Sequence, residues 1–365
     1  MIKNFFLRFK EYDLLVFILI TSIYGLILLY SASNQNLDLI YKQSIRLLFF
    51  ILLMFIVSTI SISKIRAITP ILYLLGLFLL IFSLFFGKTV NGSVRWISFF
   101  GLNFQPSEVF KIILPMTIAW FLTLTENSII DTKKFFICLI IIICPTILIL
   151  KQPDLGTALI VFLCGVVAIF LAGLNKKYIY FILFFFTTCL AVLWKFFLLP
   201  YQKDRISVMF DPSLDPLGMG YQIIQSKIAV GSGGFFGLGF LNGTQGSLQF
   251  LPETETDFIF SILAEELGFL GVIILFTLYF LIIYKCKDIL FRRANNQYSC
   301  IVGGCIAIIF IILIIVNVAM TIGILPVVGV VLPLVSHGGS SLLSIYIAFG
   351  IIFSISRGSN EKNMF

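Results

Sequence analysis

The sequence predicts an all-α, polytopic membrane protein with about ten transmembrane helices and a large external loop between the seventh and eighth. Hydrophobic residues make up 60% of the 365 residues and charged residues only 12%, with a mean hydropathy of +1.10. This composition excludes a soluble globular protein. Apolar runs of about 20 residues, long enough to cross a bilayer, recur along the chain. Lys and Arg gather at alternate ends of these runs.

The apolar runs divide the whole chain, 1–365, into spans of one integral membrane domain, with no soluble domain between them. The longest connection is the predicted external loop at 200–257, and the fifth run is short for a span. The ten predicted spans are 14–33, 45–62, 69–87, 107–125, 135–150, 155–173, 178–199, 258–284, 300–322 and 340–356.

Basic residues predict the orientation, because Lys and Arg are enriched in cytoplasmic loops. With ten spans the basic clusters fall on one side, which places both termini in the cytoplasm. The net charge of +8 then reflects topology and contact with anionic lipid rather than nucleic-acid binding. The clusters are Lys3, Arg8 and Lys10; Lys64 and Arg66; Lys133 and Lys134; Lys176 and Lys177; Lys285, Lys287, Arg292 and Arg293; and Arg357 and Lys362.

Cysteine and histidine usage gives no support for a disulfide framework or a zinc or haem site. The seven cysteines fall in predicted spans or on the cytoplasmic side. The chain has no CxxC motif and a single histidine, His337, which is too few ligands for such sites.

External loops carry a set of cations that departs from the general charge pattern. Positive charge collected from four loops above a membrane cleft suits an anionic head group such as a lipid diphosphate. Any one of these residues is equally well explained as a snorkelling anchor or a local ion pair. The external cations are Lys88, Arg95, Lys111, Lys151, Lys203, Arg205 and Lys227.

The segment 91–111 joins a turn signal, Asn91-Gly92, to a predicted helix start at Pro106. Glu108 lies in the first turn, which favours the helix dipole, and Lys111 is three residues further on and can pair with it. An interfacial loop and a capped helix would not require so many polar side chains here. The candidate binding residues of this segment are Arg95, Trp96, Glu108 and Lys111.

Two further external segments carry candidate residues. A tight turn after the fifth span holds Lys151 and Asp154, and Asp154 is placed to cap the next helix. In the segment 205–239, two Asp-Pro turns precede a predicted amphipathic helix over 221–230. The glycines that follow could offer backbone amides to phosphate oxygens, although glycines also mark simple turns. The candidate binding residues of this second segment are Arg205, Gln225 and Lys227.

The segment 251–268 changes from a polar loop to an apolar helix, which places Asp257 at the mouth of the eighth span, near Glu253. Glu265 and Glu266 follow about two turns later, ~12 Å along the helix axis. They are expected within the membrane, where ionisable groups usually have a function. The alternative for Asp257 is a helix cap.

The segment 317–341 is apolar but is interrupted by glycine and proline. Irregular backbone at membrane depth is tolerated only where it is buried in protein or lines a wet cavity. This segment is therefore expected to line a cavity. His337 is expected to pack or to form hydrogen bonds rather than to catalyse.

In this order and spacing, the five blocks resemble the SEDS family (shape, elongation, division and sporulation proteins) over about residues 13–357. The resemblance implies an inner-membrane peptidoglycan glycosyltransferase that polymerises lipid II into β-1,4-linked glycan strands at the periplasmic face. It also implies release of undecaprenyl diphosphate, a class B penicillin-binding protein as partner, and the elongation machinery. The blocks that favour the elongation member over the division member are Lys151–Asp154, Asp211–Pro216, Gly243–Glu253 and Pro326–Gly329.

The resemblance also implies roles for individual residues. The essential acid of the family falls on Asp257, the candidate general base, and a divalent cation (Mg²⁺ or Mn²⁺) is a candidate cofactor. Two positions depart from the family pattern: Glu255 stands where His is common, and His337 stands where Tyr is common. The other prominent polar positions fall on Arg95, Trp96, Glu108, Lys111, Lys151, Asp154, Gln225 and Glu253.

Other interpretations stay open at this point. A lipid II flippase or other transporter suits the broken segment 317–341 and the intramembrane acids Glu265 and Glu266. The polar motifs crowd on one face, however, which favours chemistry on a substrate already exported. A non-catalytic scaffold leaves Asp257 and the external cations without a role, and a division paralogue would share the same chemistry.

Overall fold

Long apolar helices make up most of the protein, and a small β-sheet and several short helices occupy the connections between them. The computed structural model describes residues 2–90, 93–99, 102–124, 130–175, 177–178, 180–181, 188, 195, 200–248, 250–294 and 296–362. The predicted all-α membrane fold is confirmed.

The first half of the chain contributes six helices: α1 (Ile2–Ala32), α2 (Leu37–Thr59), α3 (Ile62–Phe86), α4 (Pro106–Leu122), α5 (Thr132–Lys151) and α6 (Leu155–Leu171). Three of them begin with a side-chain cap. Asn36, Asp131 and Asp154 each accept a hydrogen bond from the backbone N–H three residues further on. These bonds satisfy donors that the start of a helix leaves free. The predicted cap at Asp154 and helix start at Pro106 are confirmed.

Within its described residues, the second half of the chain contributes six more: α7 (Pro200–Phe210), α8 (Met219–Ser232), α9 (Thr244–Ser247), α10 (Ile259–Arg293), α11 (Gln297–Thr321) and α12 (Gly339–Lys362). A 3₁₀ turn, Pro212–Leu214, lies between α7 and α8. The amphipathic helix predicted over 221–230 is α8. The predicted seventh span, 178–199, lies almost entirely outside the described residues.

A three-stranded antiparallel sheet fills the connection between α3 and α4. Its strands are β1 (Lys88–Val90), β2 (Ser93–Phe99) and β3 (Leu102–Phe104), in the order β1-β2-β3. Lys88 lies opposite Trp96, and Ile97 opposite Phe104. The turn predicted at Asn91-Gly92 lies outside the described residues. Gln105 alone separates β3 from α4, so the sheet is positioned directly above the start of that helix.

Among the described residues, seven helices are long and apolar enough to cross a membrane, and α6 is a shorter apolar helix. The seven correspond to the first, second, third, fifth, eighth, ninth and tenth predicted spans. The fifth, which the sequence makes short, extends over 20 residues, Thr132–Lys151. Polar residues at both ends account for the difference, because they belong to the helix although they interrupt the apolar run.

Contacts between α1 and α10 set the depth of the buried acids. The helices run antiparallel: Asp13 pairs with Lys285 at 2.5 Å, and the Tyr24 hydroxyl donates to the Gly271 carbonyl at 3.2 Å. Ser31, one residue before the end of α1, donates to Glu266. Glu266 therefore lies level with the C-terminal end of α1, and the expectation that it lies within the membrane stays a prediction.

The helix α10 is broken close to these acids. A straight helix of 35 residues would extend ~52 Å, well beyond a hydrocarbon core of ~30 Å. At Gly268 the backbone has φ 61° and ψ −161°, a region accessible essentially to glycine alone. Residues 259–267 thus form a separate upper segment, which runs between α11 and the end of α1.

The segment 234–239 replaces the backbone hydrogen bonds that α10 loses at this break. Two of its amides donate to α10 carbonyls, and two of its carbonyls accept from α10 amides. The four bonds are Leu238 N to Glu265 O (2.9 Å), Gly239 N to Glu266 O (3.0 Å), Phe269 N to Gly234 O (2.9 Å) and Leu270 N to Phe235 O (3.1 Å). We call this arrangement the interlock.

The interlock corrects the interpretation of the glycine-rich stretch as a phosphate-binding loop. The amides of Gly237, Leu238 and Gly239 all donate within the protein, so they cannot also bind phosphate oxygens. A Cβ atom at Gly237 would lie 2.1 Å from the Glu266 carbonyl oxygen. Here the glycines permit close approach of two backbones.

Candidate functional site

Asp257 lies in the turn just before α10 and is 7% exposed. Other residues hold this turn through the backbone carbonyls of residues 255–257. Asn317 Nδ2 donates to Asp257 O at 3.0 Å and Ser336 Oγ to Thr256 O at 2.6 Å. The backbone N–H of His337 donates to Glu255 O at 2.8 Å. Three consecutive carbonyls are therefore fixed.

The carboxylate of Asp257 faces the irregular segment 323–338. A Cβ at Gly329, where φ is +70°, would lie 3.6 Å from Asp257 Oδ2. Asn317 also donates to Val330 O at 2.6 Å and so joins this segment to the turn. The segment lies beside the acid, as expected for backbone that lines a site.

Asp257 is not a helix cap. The capping position of α10 is Phe258, which makes no side-chain capping bond. Burial raises the pKa of Asp257 to about 7, and the charge of Glu253 adds to this effect, whereas Arg95 and Arg205 oppose it. Near neutral pH the carboxyl is consequently divided between its two forms, as suits a general base.

Arg95 connects the β-sheet to the start of α6. Its Nη1 lies 2.8 Å from Asp154 Oδ2, an atom that also accepts from Gln105 Nε2 at 3.1 Å and from Thr157 Oγ1 at 2.9 Å. A buried carboxylate with several donors is well stabilised. Asp154 thus fixes Arg95 where its charge acts on Asp257.

Glu108 and Lys111 form the predicted pair on α4. Their side chains meet at 2.7 Å, and both are buried. Lys111 also lines a cavity of about 30 Å³ between α4, α11 and α12, together with Ser344 and apolar side chains. Burial of an ion pair is costly and rarely serves stability alone, so this pair is a candidate for function below the external loops.

The remaining predicted binding residues lie at different distances from Asp257. Arg205 of α7 is half-buried and donates to the Val327 carbonyl at 3.2 Å, next to the segment that faces the acid. Glu253 acts on Asp257 through its charge, and Trp96 follows Arg95 on β2. Lys227, exposed on α8, packs against Gly323 at the start of the irregular segment, where a Cβ would lie 2.1 Å from Lys227 Cε. Lys151 is exposed at the end of α5, and Gln225 is half-buried on α8.

Arg46 of α2 was missed by sequence reasoning, as were the roles of Asn317 and Ser336. Arg46 Nη1 lies 3.1 Å from His337 Nε2. The available signal was a lone arginine inside the second apolar run. The partners of Asn317 and Ser336 include residues distant in sequence, so no local pattern marks them.

Some buried polar atoms of the described structure have no hydrogen-bond partner within the protein. An unmade bond at a buried atom costs about 1–3 kcal/mol, so such atoms are places where a ligand or water can bind. Two of them, Asn317 Oδ1 and His337 Nδ1, belong to residues that hold the Asp257 turn. Others are Trp96 Nε1, Ser107 Oγ and Glu108 Oε2.

Comparison with known proteins gives one family and several close relatives. A family model for FtsW, RodA and SpoVE, described as "Cell cycle protein", matches residues 11–361. The peptidoglycan glycosyltransferase MrdB of Escherichia coli K12 is 39% identical over 342 residues, 94% of this chain and 92% of that protein. The probable peptidoglycan glycosyltransferase FtsW of Wigglesworthia glossinidia brevipalpis is 37% identical over 361 residues, 93% and 92%.

Two solved structures share the fold. A chain from a peptidoglycan synthase complex, studied for the coordination of polymerization and crosslinking, has a TM-score of 0.80 and 30% identity, and covers 95% of this chain and 97% of its own. RodA of Thermus thermophilus, a rod shape determining protein, has a TM-score of 0.72 and 27% identity, with 95% and 96% covered.

Proposed function

We propose a peptidoglycan glycosyltransferase activity for this chain, which belongs to the family of cell cycle proteins that includes FtsW, RodA and SpoVE. The resemblance to SEDS proteins is thereby confirmed. Relatives that carry this activity in their names align over nearly the whole chain. The observation that connects the activity to a site is Asp257, a buried acid with a pKa raised to about 7.

The chemistry required of the site is one displacement. The 4-hydroxyl oxygen of an acceptor GlcNAc attacks the anomeric C1 of the donor, the bond from C1 to the diphosphate oxygen breaks, and the configuration inverts. The acceptor hydroxyl must lose its proton. Asp257 takes that proton on a carboxylate oxygen as general base, and its pKa near the working pH suits this role.

The leaving diphosphate gains negative charge as the bond breaks and needs fixed positive charge nearby. Arg95 and Arg205 supply it, because their charges already act on Asp257. Lys111, with Glu108, lies deeper and supports the site from α4. We assign Lys151, Gln225 and Lys227 to the periphery of the substrate.

Lipid II and the nascent glycan are the proposed substrates, at the periplasmic face of the inner membrane with both termini in the cytoplasm. A class B penicillin-binding protein is the proposed partner, supported by the likeness to a chain of a peptidoglycan synthase complex. Elongation rather than division is favoured by the sequence blocks; FtsW-type relatives at 37% identity would share the chemistry.

A divalent cation, Mg²⁺ or Mn²⁺, stays a prediction. Within the described part of the chain, no three His, Cys, Asp or Glu side chains come together as a ligand set. Mg²⁺ usually binds through one or two carboxylates together with substrate phosphates, so the prediction does not depend on such a set, and the roles proposed above are those of protein groups.

The flippase alternative relied on the broken segment 317–341 and on Glu265 and Glu266 as ionisable groups within the membrane. The bonds of the two acids support a structural role for them. Glu265 accepts from Thr244 N, Thr244 Oγ1 and Gln245 N at 2.7–3.1 Å, and Glu266 accepts from Ser31. Both acids hold external segments in place.

The decisive experiment is glycan polymerisation by the purified chain with its penicillin-binding protein and labelled lipid II. We expect long glycan from the wild type and none from Asp257→Asn. Asp204→Asn is the matched control, because Asp204 is an exposed acid on α7 and should leave the product unchanged. Equal product from Asp257→Asn would remove the acid as base. No product from any variant, with lipid II transfer across vesicles, would support the flippase.

A further inference from the structure

The cations of the site differ in whether an acid neutralises them. Arg95 is paired with Asp154 at 2.8 Å and Lys111 with Glu108 at 2.7 Å. Arg46 has no acid within ion-pair distance among the described residues. Its contact is the imidazole of His337.

Arg46 occupies a position where an uncompensated charge is costly. It lies nine residues after the start of α2 (Leu37–Thr59), ~13 Å along the axis, and is half-buried. An arginine within a membrane helix usually faces the protein interior or a water-filled cavity and marks a functional site.

The contact with His337 fixes the chemistry of the imidazole. Arginine has donors only, so His337 Nε2, 3.1 Å from Arg46 Nη1, must accept, and the ring proton resides on Nδ1. Burial, followed by the charge of Arg46, lowers the pKa of His337 to about 4, which agrees with a neutral ring. The bond therefore orients the guanidinium without neutralising it.

His337 also connects Arg46 to the reaction centre. Its backbone N–H binds the carbonyl of Glu255, two residues before Asp257. The two positions that depart from the family pattern, Glu255 and His337, are thus in direct contact. Arg46 approaches this turn from α2, whereas Arg95 and Arg205 belong to β2 and α7.

We propose that Arg46 is an anion-binding residue for the phosphate groups of a lipid-linked substrate, and that neutral His337 is its positioning residue. This inference rests on the proposed polymerase function. A polymerase holds two lipid diphosphates at once, one on the donor and one on the acceptor. Arg95 with Arg205 serves one of them, and Arg46 serves the other.

The first test measures binding without turnover. Farnesyl diphosphate is titrated into the purified complex carrying Asp257→Asn, with Arg46→Ala, Arg46→Lys or Lys42→Ala added. Loss of a charged hydrogen bond should weaken binding ~10- to 100-fold for Arg46→Ala, with partial recovery for Arg46→Lys. Lys42 is the matched control, because it is an exposed cation on the same helix. The proposal would be overturned if Arg46→Ala bound farnesyl diphosphate as tightly as Lys42→Ala and the complex without an added substitution.

The same phosphate chemistry occurs in bulk lipid, so the titration is repeated in nanodiscs of phosphatidylcholine alone and with phosphatidylglycerol. A loss on Arg46→Ala in both supports a substrate diphosphate. A loss that appears only with phosphatidylglycerol would assign Arg46 to a membrane head group and overturn the substrate role.

The second test separates positioning from packing. His337→Gln retains a neutral acceptor for Arg46, whereas His337→Glu supplies an acid that neutralises it. We expect the glutamine variant to bind within a few-fold of wild type and the glutamate variant to lose affinity as Arg46→Ala does, with KM raised more than kcat is lowered. Equal behaviour of the two variants would refute the positioning role. Thermal midpoints and retention of the partner show whether each variant is folded.

These outcomes are distinguishable from failure of the proposed function. If wild type polymerises lipid II but binding and KM do not respond to Arg46, the anion site is wrong and the activity stands. If wild type binds farnesyl diphosphate through Arg46 yet makes no glycan, the anion site stands and the polymerase assignment fails.

Discussion

Two buried acids eight residues apart, Asp257 and Glu265, have opposite surroundings. Both are almost inaccessible, at 7% and 0% exposed. The carboxylate of Glu265 is bound by the amides of Thr244 and Gln245 and by the Thr244 hydroxyl. The pKa of Asp257 is governed by burial and by the charges of neighbouring side chains, and one hydrogen bond with the Thr256 side chain opposes the rise.

The difference shows how one short stretch can provide both structure and chemistry. Backbone donors stabilise an ionised carboxylate and commit it to holding a loop. A carboxylate that is desolvated without such donors keeps a high affinity for a proton. Burial alone does not decide the role of an acid, because both acids are buried. The hydrogen-bond donors around each carboxylate decide it.

The largest effect on this comparison is expected from disrupting the interlock, which lies next to Glu265 in α10. A Cβ at Gly268 would lie 2.3 Å from Gly237 N, and its φ of +61° disfavours side chains. We expect Gly268→Ala to cost ~1–3 kcal/mol from backbone conformation alone, with further loss from the overlap. Folded yield, measured by size exclusion and thermal unfolding, should fall sharply. Gly231→Ala, with open space around its Cβ, should behave as wild type, and a stable Gly268→Ala protein would contradict the interlock.

Removing each charge separately sharpens the comparison, because the stability effects should have opposite signs. Glu265→Gln loses an acceptor for buried amides, which costs ~1–3 kcal/mol, and should lower the thermal midpoint at every pH near neutral. Asp257→Asn should raise it at pH 8. The folded pKa of about 7 exceeds the ordinary value of 3.8, so ionisation destabilises the folded state as pH rises through this window. At pH 4 the gain should vanish; a gain independent of pH would show that Asp257 is not titrating.

The smallest expected effect is a shift in the pH profile of polymerisation. The rate should rise with pH through a limb near the pKa of Asp257, about 7, because only the ionised form accepts a proton. Arg205 lowers that pKa, so Arg205→Gln should move the limb to higher pH. The limb is read from kcat/KM between pH 5.5 and 9. An unchanged limb in Arg205→Gln would place this arginine away from the acid.

Much of this architecture was predictable from the sequence. Local hydropathy predicted seven spans that correspond to long apolar helices among the described residues. Helical spacing predicted the pairing of Glu108 with Lys111, which is confirmed. The position of Asp257 before α10 follows from the loop-to-helix change. These features depend on residues close together in the chain.

The surroundings of Glu265 and Glu266 could not be predicted in the same way. Their partners lie in the segment 234–245 and at the end of α1, and they meet only because Gly268 breaks the helix. Arg46 was missed although it is a cation within an apolar run, and its neutral partner, His337, is 291 residues away. Long-range pairing decides the role of each of these groups.

The three carbonyls that hold the Asp257 turn have a consequence for how the protein can evolve. Asn317, Ser336 and the backbone of His337 bind the main chain of residues 255–257, which every amino acid presents alike. Substitution at residue 255 therefore leaves the acid in place. The side chain of residue 255 is therefore free to diversify while the reaction centre stays constant.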